Sequence, residues 1–218
     1  MIRIMWLVAA KDLRIEARSR VLLWQVVPFG VLALLLTGLA LGPVAAEHSN
    51  AAPGLFYLVL VLVTLLMINR SVAVERTPGT RASVATLGLD PGGVFLGKAL
   101  ALAVELWITA LVLLGGAVLV LHVPLHATLL ALPSVTESVA ALAAAGTLYG
   151  ALAGGAGAAT LLPVIALPAM APLLIAGERS YSAAVHGTGL WEWWVVSSSA
   201  LVAYVALGVL LYGVIEDS

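Results

Sequence analysis

Two carboxylates stand well inside apolar sequence, Glu105 in ALALAVELWITALVLL and Glu137 in LPSVTESVAALAAA. An ionised carboxylate in hydrocarbon is costly unless it is bonded or faces a water path, so both are candidates for function. The competing reading for each is a structural hydrogen bond to another helix. For Glu137, the nearby Pro133 and Ser134 also allow the apolar segment to begin there. A third feature, GGVFLGKA at Gly92–Ala99, is a near match to a phosphate-binding loop, with glycines followed by Lys98. It fails at its last position, where Ala99 replaces the hydroxyl that would meet magnesium, and no strand precedes it. Lys98 more simply marks the end of a membrane span.

His122 and His126 flank Pro124, and imidazole is a common haem or zinc ligand. Pro124 breaks any continuous helical i, i+4 pair, which leaves polar residues at a membrane interface as the alternative. Trp191, Trp193 and Trp194 around Glu192 invite comparison with tryptophan-rich haem-handling loops, against an aromatic belt at the membrane edge. His48 and His186 are isolated. The chain has no Cys, which excludes disulfides, thiolate nucleophiles and Cys-ligated metal. No paired nucleophile and base, and no metal-ligand set, falls within the apolar segments.

These residues hang on six long apolar stretches. With 62% hydrophobic residues and a mean hydropathy of +1.13, the 218-residue chain has too little polar sequence for a soluble surface. Stretches of about 20 apolar residues cross the hydrocarbon core as helices. The expected class is therefore an all-α integral membrane protein, a single domain over residues 1–218. Its spans are expected at about 21–42, 55–74, 95–121, 128–150, 160–177 and 195–215. Residues 1–20 alternate apolar and charged residues at a helical period, predicting an amphipathic interfacial helix, or else a basic flank that orients the first span. That first span lacks a small-residue cleavage site and is read as retained. Six spans in this length leave no soluble catalytic domain, so any energy source is a partner or a gradient.

Nine of the ten basic residues fall in the N-terminal segment or around the second connection: Arg3, Lys11, Arg14, Arg18, Arg20, Arg70, Arg76, Arg81 and Lys98. Only Arg179 lies on the other side of the alternation. Cytoplasmic loops retain Lys and Arg, so both termini are expected in the cytoplasm. The fourth connection, AGGAGAA, predicts close packing of the fourth and fifth spans through small residues. The fifth span carries Pro163, Pro168 and Pro172, each removing a backbone donor and favouring a bend, so it is a candidate hinge or a statically kinked helix.

Four segments carry a family resemblance in chain order: KDLRIEARSR (Lys11–Arg20), FLGKAL (Phe95–Leu100), LLPVIALPAMAPLLIAG (Leu161–Gly177) and LLYGVIED (Leu210–Asp217). Together they resemble CcmB, the permease family of cytochrome c maturation, within the wider type-2 ABC exporter class. The resemblance implies a six-helix permease of the bacterial inner membrane without its own ATPase. It implies a CcmA-like cytoplasmic ATPase subunit, a CcmC-like haem-handling membrane protein and a haem chaperone as partners, and a dimeric permease. No intrinsic cofactor is implied, haem being a substrate or a component of the complex. Two roles fit, haem export or ATP-driven release of the haem chaperone. A permease for lipid, drug or polymer and a non-transporting assembly scaffold are the alternatives. The only sizeable inner loop, with Arg76, Arg81 and Asp90, is expected to dock the ATPase.

Overall fold

The computed structural model describes residues 1–42, 45–75, 90–153 and 162–216 and is all-helical over them. The elements are α1 (Ile2–Ser19), a π-helical turn (Leu22–Val26), α2 (Val27–Ala40), α3 (Ala45–Glu75), α4 (Pro91–Val120), α5 (Leu125–Leu152), α6 (Leu162–His186) and α7 (Trp191–Glu216). Five are long and apolar enough to cross a membrane: Leu22–Ala40, Asn50–Val72, Pro91–Val120, Leu125–Leu152 and Trp191–Ile215. They coincide with the first, second, third, fourth and sixth expected spans. The helices outrun the apolar runs. Ala45–Gly54, expected in a connection, begins α3; Glu178–His186 continues α6; and Trp191–Trp194 form the first turn of α7. Hydropathy marks where hydrocarbon ends, whereas a helix goes on as long as its backbone bonds are made.

Local chemistry accounts for the helix ends. The Asp90 side chain accepts from the Gly93 N–H at 3.0 Å, and Pro91 occupies the first turn where its missing donor costs nothing. α4 closes with His122 in the left-handed region (φ 56°), the Val123 N–H returning to the Ala117 carbonyl. The GGVFLGKA segment therefore lies inside the first turns of a helix, and no loop exists there to cradle a phosphate. Arg20 is the corresponding left-handed residue at the end of α1 (φ 54°), and the π turn that follows precedes Pro28 in the first turn of α2.

Packing is set by small residues. The α5 alanines Ala141, Ala143, Ala144 and Ala145 are buried, and Gly146 and Gly150 meet Ile68 of α3. Without a hydrophobic drive inside lipid, such close approach supplies the dispersion and polar contacts that hold helices together. Phe56 anchors the core on α3, its ring edge-on to Tyr57 and Tyr181 with centroids 5.2 and 5.5 Å away. α1 runs beside the first half of α4: the Met1 carbonyl and Ile4 sit at Gly93, the Met5 carbonyl and Val8 at Gly97. Its packed stripe is Ile4, Met5, Val8, Ala9, Asp12, Leu13 and Glu16. Of the eight described basic residues, seven gather at the end of the bundle where α1 lies, and Arg179 is at the other.

A Cβ at Gly97 would stand 2.6 Å from Val8 and 2.7 Å from the Met5 carbonyl oxygen, so Gly97→Val must push α1 off α4. We expect Gly97→Val to cost about 1–3 kcal/mol, which lowers the melting temperature in detergent by several degrees. Gly115→Ala, where a Cβ meets nothing within 4 Å, should leave the melting temperature unchanged or slightly raised. Equal melting temperatures for both variants would show that the α1–α4 contact is not tight.

Candidate functional site

Two polar clusters are built into the apolar bundle. The first lies where α5, α6 and α7 meet. Ser134, Glu137 and Ser138 are spaced i, i+3, i+4 on α5, and Trp194, Ser197 and Ser198 repeat that spacing on α7, so each set shares one helix face. The Ser198 hydroxyl donates to Glu137 Oε1 at 3.1 Å, and the Trp194 indole N–H donates to Ser134 Oγ at 2.5 Å. Ser134 also pairs with Ser180 of α6. Ser138 Oγ is 3.2 Å from the Tyr57 hydroxyl, which brings α3 into the seam. Gly177 of α6 makes room for this pair, because a Cβ there would lie 2.4 Å from the Tyr57 ring and 2.7 Å from Ser138 Oγ. Two buried atoms, Glu137 Oε2 and Ser197 Oγ, have no hydrogen-bond partner among the described residues.

The second cluster sits at the joint between α1 and α2. Arg70 of α3 donates to Glu16 Oε2 at 2.8 Å and to Ser19 Oγ at 3.0 Å. Glu16 Oε1 accepts the Leu22 N–H at 2.5 Å. The ion pair is partly buried, with side-chain exposure of 29% for Arg70 and 13% for Glu16. Glu105 of α4 interacts electrostatically with Glu16, Arg70 and Asp12. Nearby, the Lys98 ammonium lies 5.7 Å from the centre of the Tyr212 ring.

The expected site residues thus divide. Glu137 belongs to the first cluster and Glu105 to the second, and the fold does not bring them together. α5 runs unbroken through Pro133 and Ser134, so Glu137 lies within a membrane-length helix. His122 is in the turn between α4 and α5, while His126 is on α5; both are exposed. Trp191 is exposed, and Trp194 turns its indole into the seam. Pro168 and Pro172 lie inside α6, and Pro163 falls at its described start. Asp90 is engaged as the cap of α4, with the N-terminal ammonium 3.9 Å from its carboxylate. Arg76 and Arg81 lie outside the described residues, as does the AGGAGAA connection apart from Ala153. No group of three or more metal-ligating side chains occurs among the described residues.

Sequence reading missed Glu16, Tyr57, Ser180 and the α7 serines. The signal present was the matched i, i+3, i+4 polar spacing in the fourth and sixth spans; for Glu16 there was none, since its partner lies 54 residues away. Chemically, the seam is a set of hydroxyls around one carboxylate.

A profile of the CcmB protein family matches residues 3–213. The chain belongs to the CcmB family. It is also 30% identical over 191 residues to heme exporter protein B of Rhodobacter capsulatus, an alignment covering 83% of this chain and 84% of that protein. Both polar clusters fall inside the CcmB match.

Removing one partner of a partly buried ion pair leaves the other charge poorly solvated. Arg70→Met is expected to lower stability by about 1–3 kcal/mol. A double-mutant cycle with Glu16→Gln should then give a coupling above about 0.5 kcal/mol, measured by thermal unfolding in detergent. Additive effects would show that the pair contributes nothing to anchoring α1.

Proposed function

We propose that the chain is the membrane permease subunit of an ABC transporter acting in cytochrome c maturation, in haem export or in ATP-driven release of a haem chaperone. The observation that carries this reading is CcmB membership across nearly the whole chain, supported by the relative named heme exporter protein B. The bundle fits it on independent grounds. Helices of membrane length take up most of the sequence, and the described residues hold no soluble domain that could hydrolyse ATP. A separate CcmA-like ATPase drives the cycle, and a CcmC-like membrane protein and a haem chaperone complete the complex.

In the bacterial inner membrane, α6 serves as the fifth of six spans and both termini face the cytoplasm. The gathering of basic residues at the α1 end supports this orientation. α1 then lies at the cytoplasmic interface, and the Arg76 and Arg81 segment, leading to Asp90, docks the ATPase. Two permease copies pair around the transport path. Haem contact at the opposite end falls to His122, His126, Trp191, Trp193 and Trp194. α6, with Pro168 and Pro172 on its exposed face, is the bending element.

Reversing Arg76 and Arg81 to Glu should abolish co-purification of the ATPase while the chain still inserts; unchanged co-purification removes this segment from the interface. A reporter fused after Ser218 should be active on the cytoplasmic side only. Pro168→Ala should accumulate normally yet support cytochrome c haem attachment poorly in a deletion strain. Full accumulation with full activity would show that a straighter helix serves equally well.

A further inference from the structure

The span Leu22–Ala40 turns one face to the bundle and leaves the other without a partner. Val26, Gly30, Leu34 and Gly38 are buried, Gly30 against Val63 and Leu113, Leu34 against Gly116. On the opposite side Gln25, Phe29, Leu32, Leu36 and Leu39 recur at spacings of four, three, four and three, and all five are exposed. That is the repeat of a helix seam. Gln25, in the π turn, is its one polar member, and its amide forms no hydrogen bond with any described residue. At the joint below, Glu16, Ser19 and Arg70 bond one another instead. Thr37, the other polar side chain of this span, is satisfied by the Leu34 carbonyl at 2.9 Å.

Depth makes the bare amide costly. Gly30 meets Leu113 and Gly38 meets Val120, so α2 and α4 advance together and Gln25 stands level with about Ile108. That is near the middle of α4, roughly 18 Å from one end and 25 Å from the other, beyond the reach of a Gln side chain to water. An amide in hydrocarbon leaves two donors and an acceptor unmet. A charged partner would satisfy only half of it, a carboxylate the donors or a cation the acceptor. A second amide satisfies both halves. A two-fold axis along the membrane normal sets Gln25 opposite its own twin, and the flanking Phe29, Leu32 and Leu36 then close a parallel seam. We propose that this stripe is the contact between two copies of the chain, a parallel α2 pair with reciprocal Gln25 amide bonds. This rests on the two-copy permease proposed above and names where the copies meet.

The chain has no Cys, so single cysteines report pairing without background. Leu32→Cys and Leu36→Cys, made one at a time in the full chain and oxidised in membranes with copper phenanthroline, should each give a disulfide-linked dimer, since like positions on the seam face each other. Leu210→Cys, comparably exposed at 73% on α7, should not. In parallel, chains bearing two different affinity tags are co-expressed, and capture of one by the other reads pairing through any surface. Gln25→Leu should lower that capture by about threefold or more, and Gln25→Asn, which retains an amide, should keep most of it. The proposal falls if Leu210→Cys links as well as the seam cysteines, which marks random collision. It also falls if neither seam cysteine links while tagged copies still capture each other, which puts the contact elsewhere and leaves the two-copy reading standing. Undiminished capture by Gln25→Leu overturns it too, and loss of another membrane protein from that variant would assign the stripe to a different chain. A wild-type chain that neither links nor captures a second copy overturns the two-copy reading along with it. If Gln25→Leu does not accumulate, the seam cysteines, which leave Gln25 in place, decide alone.

Discussion

Three donors converge on the carboxylate of Glu16: the Arg70 guanidinium, the Ser19 hydroxyl and the Leu22 N–H. Arg20 takes the left-handed conformation at the same point, so α1 ends there and the chain enters the π turn of the first span. A charge-assisted bond to a backbone N–H satisfies a donor that a helix start otherwise leaves open. The same carboxylate holds α3 through Arg70. The path of α1 along α4 therefore depends on an acid at this position, and the Gly93 and Gly97 seat completes what Glu16 begins. Glu16 is shielded enough for these bonds to be stronger than a surface pair, and close enough to the end of the bundle to avoid the full penalty of burial.

The seam between α5 and α7 follows a different rule. Here the polar groups lie among helices of membrane length, and most are neutral hydroxyls that pair with one another or with helix carbonyls. Hydroxyls can turn towards whichever acceptor is nearest, so a small displacement of α7 along α5 exchanges partners and breaks few bonds. Glu137 has one oxygen on Ser198 and the other without a described partner, and the hydroxyl of Ser197, next to Ser198, is in the same condition.

The all-helical class, five of the six expected spans and the grouping of basic residues were legible in the sequence because they depend on composition and period alone. The spans emerged at nearly the right places for this reason. Helix ends were less legible, since Asp90–Pro91 and His122 are cap signals that hydropathy does not register. The glycines of GGVFLGKA drew attention as a nucleotide motif, whereas their physical role is to let α1 approach α4. Sequence spacing identified Glu105 and Glu137 as outliers, but not their partners. Contacts between residues 54 or 61 positions apart follow from how the helices are arranged, and no local pattern encodes that.

The placement of both clusters on continuous helices ties them mechanically. α3 runs without a break from Asn50 through Tyr57 to Arg70, and at about 1.5 Å per residue these two side chains are roughly 20 Å apart on one rod. Tyr57 contacts the α5 seam through Ser138, and Arg70 holds the end of α1. Helices resist stretching far more than they resist tilting, because their backbone bonds are saturated and packing between them is weaker. Tyr57, Ser138 and Gly177 thus join α3, α5 and α6 at one end of this rod, and Arg70 joins it to α1 near the other. α5 cannot follow α3 freely, since its other face is held to α4 by Thr136 and Trp107 at 3.1 Å. Hydroxyls and glycine, rather than interlocked apolar side chains, therefore stand where α3, α5 and α6 meet and where α5 faces α7.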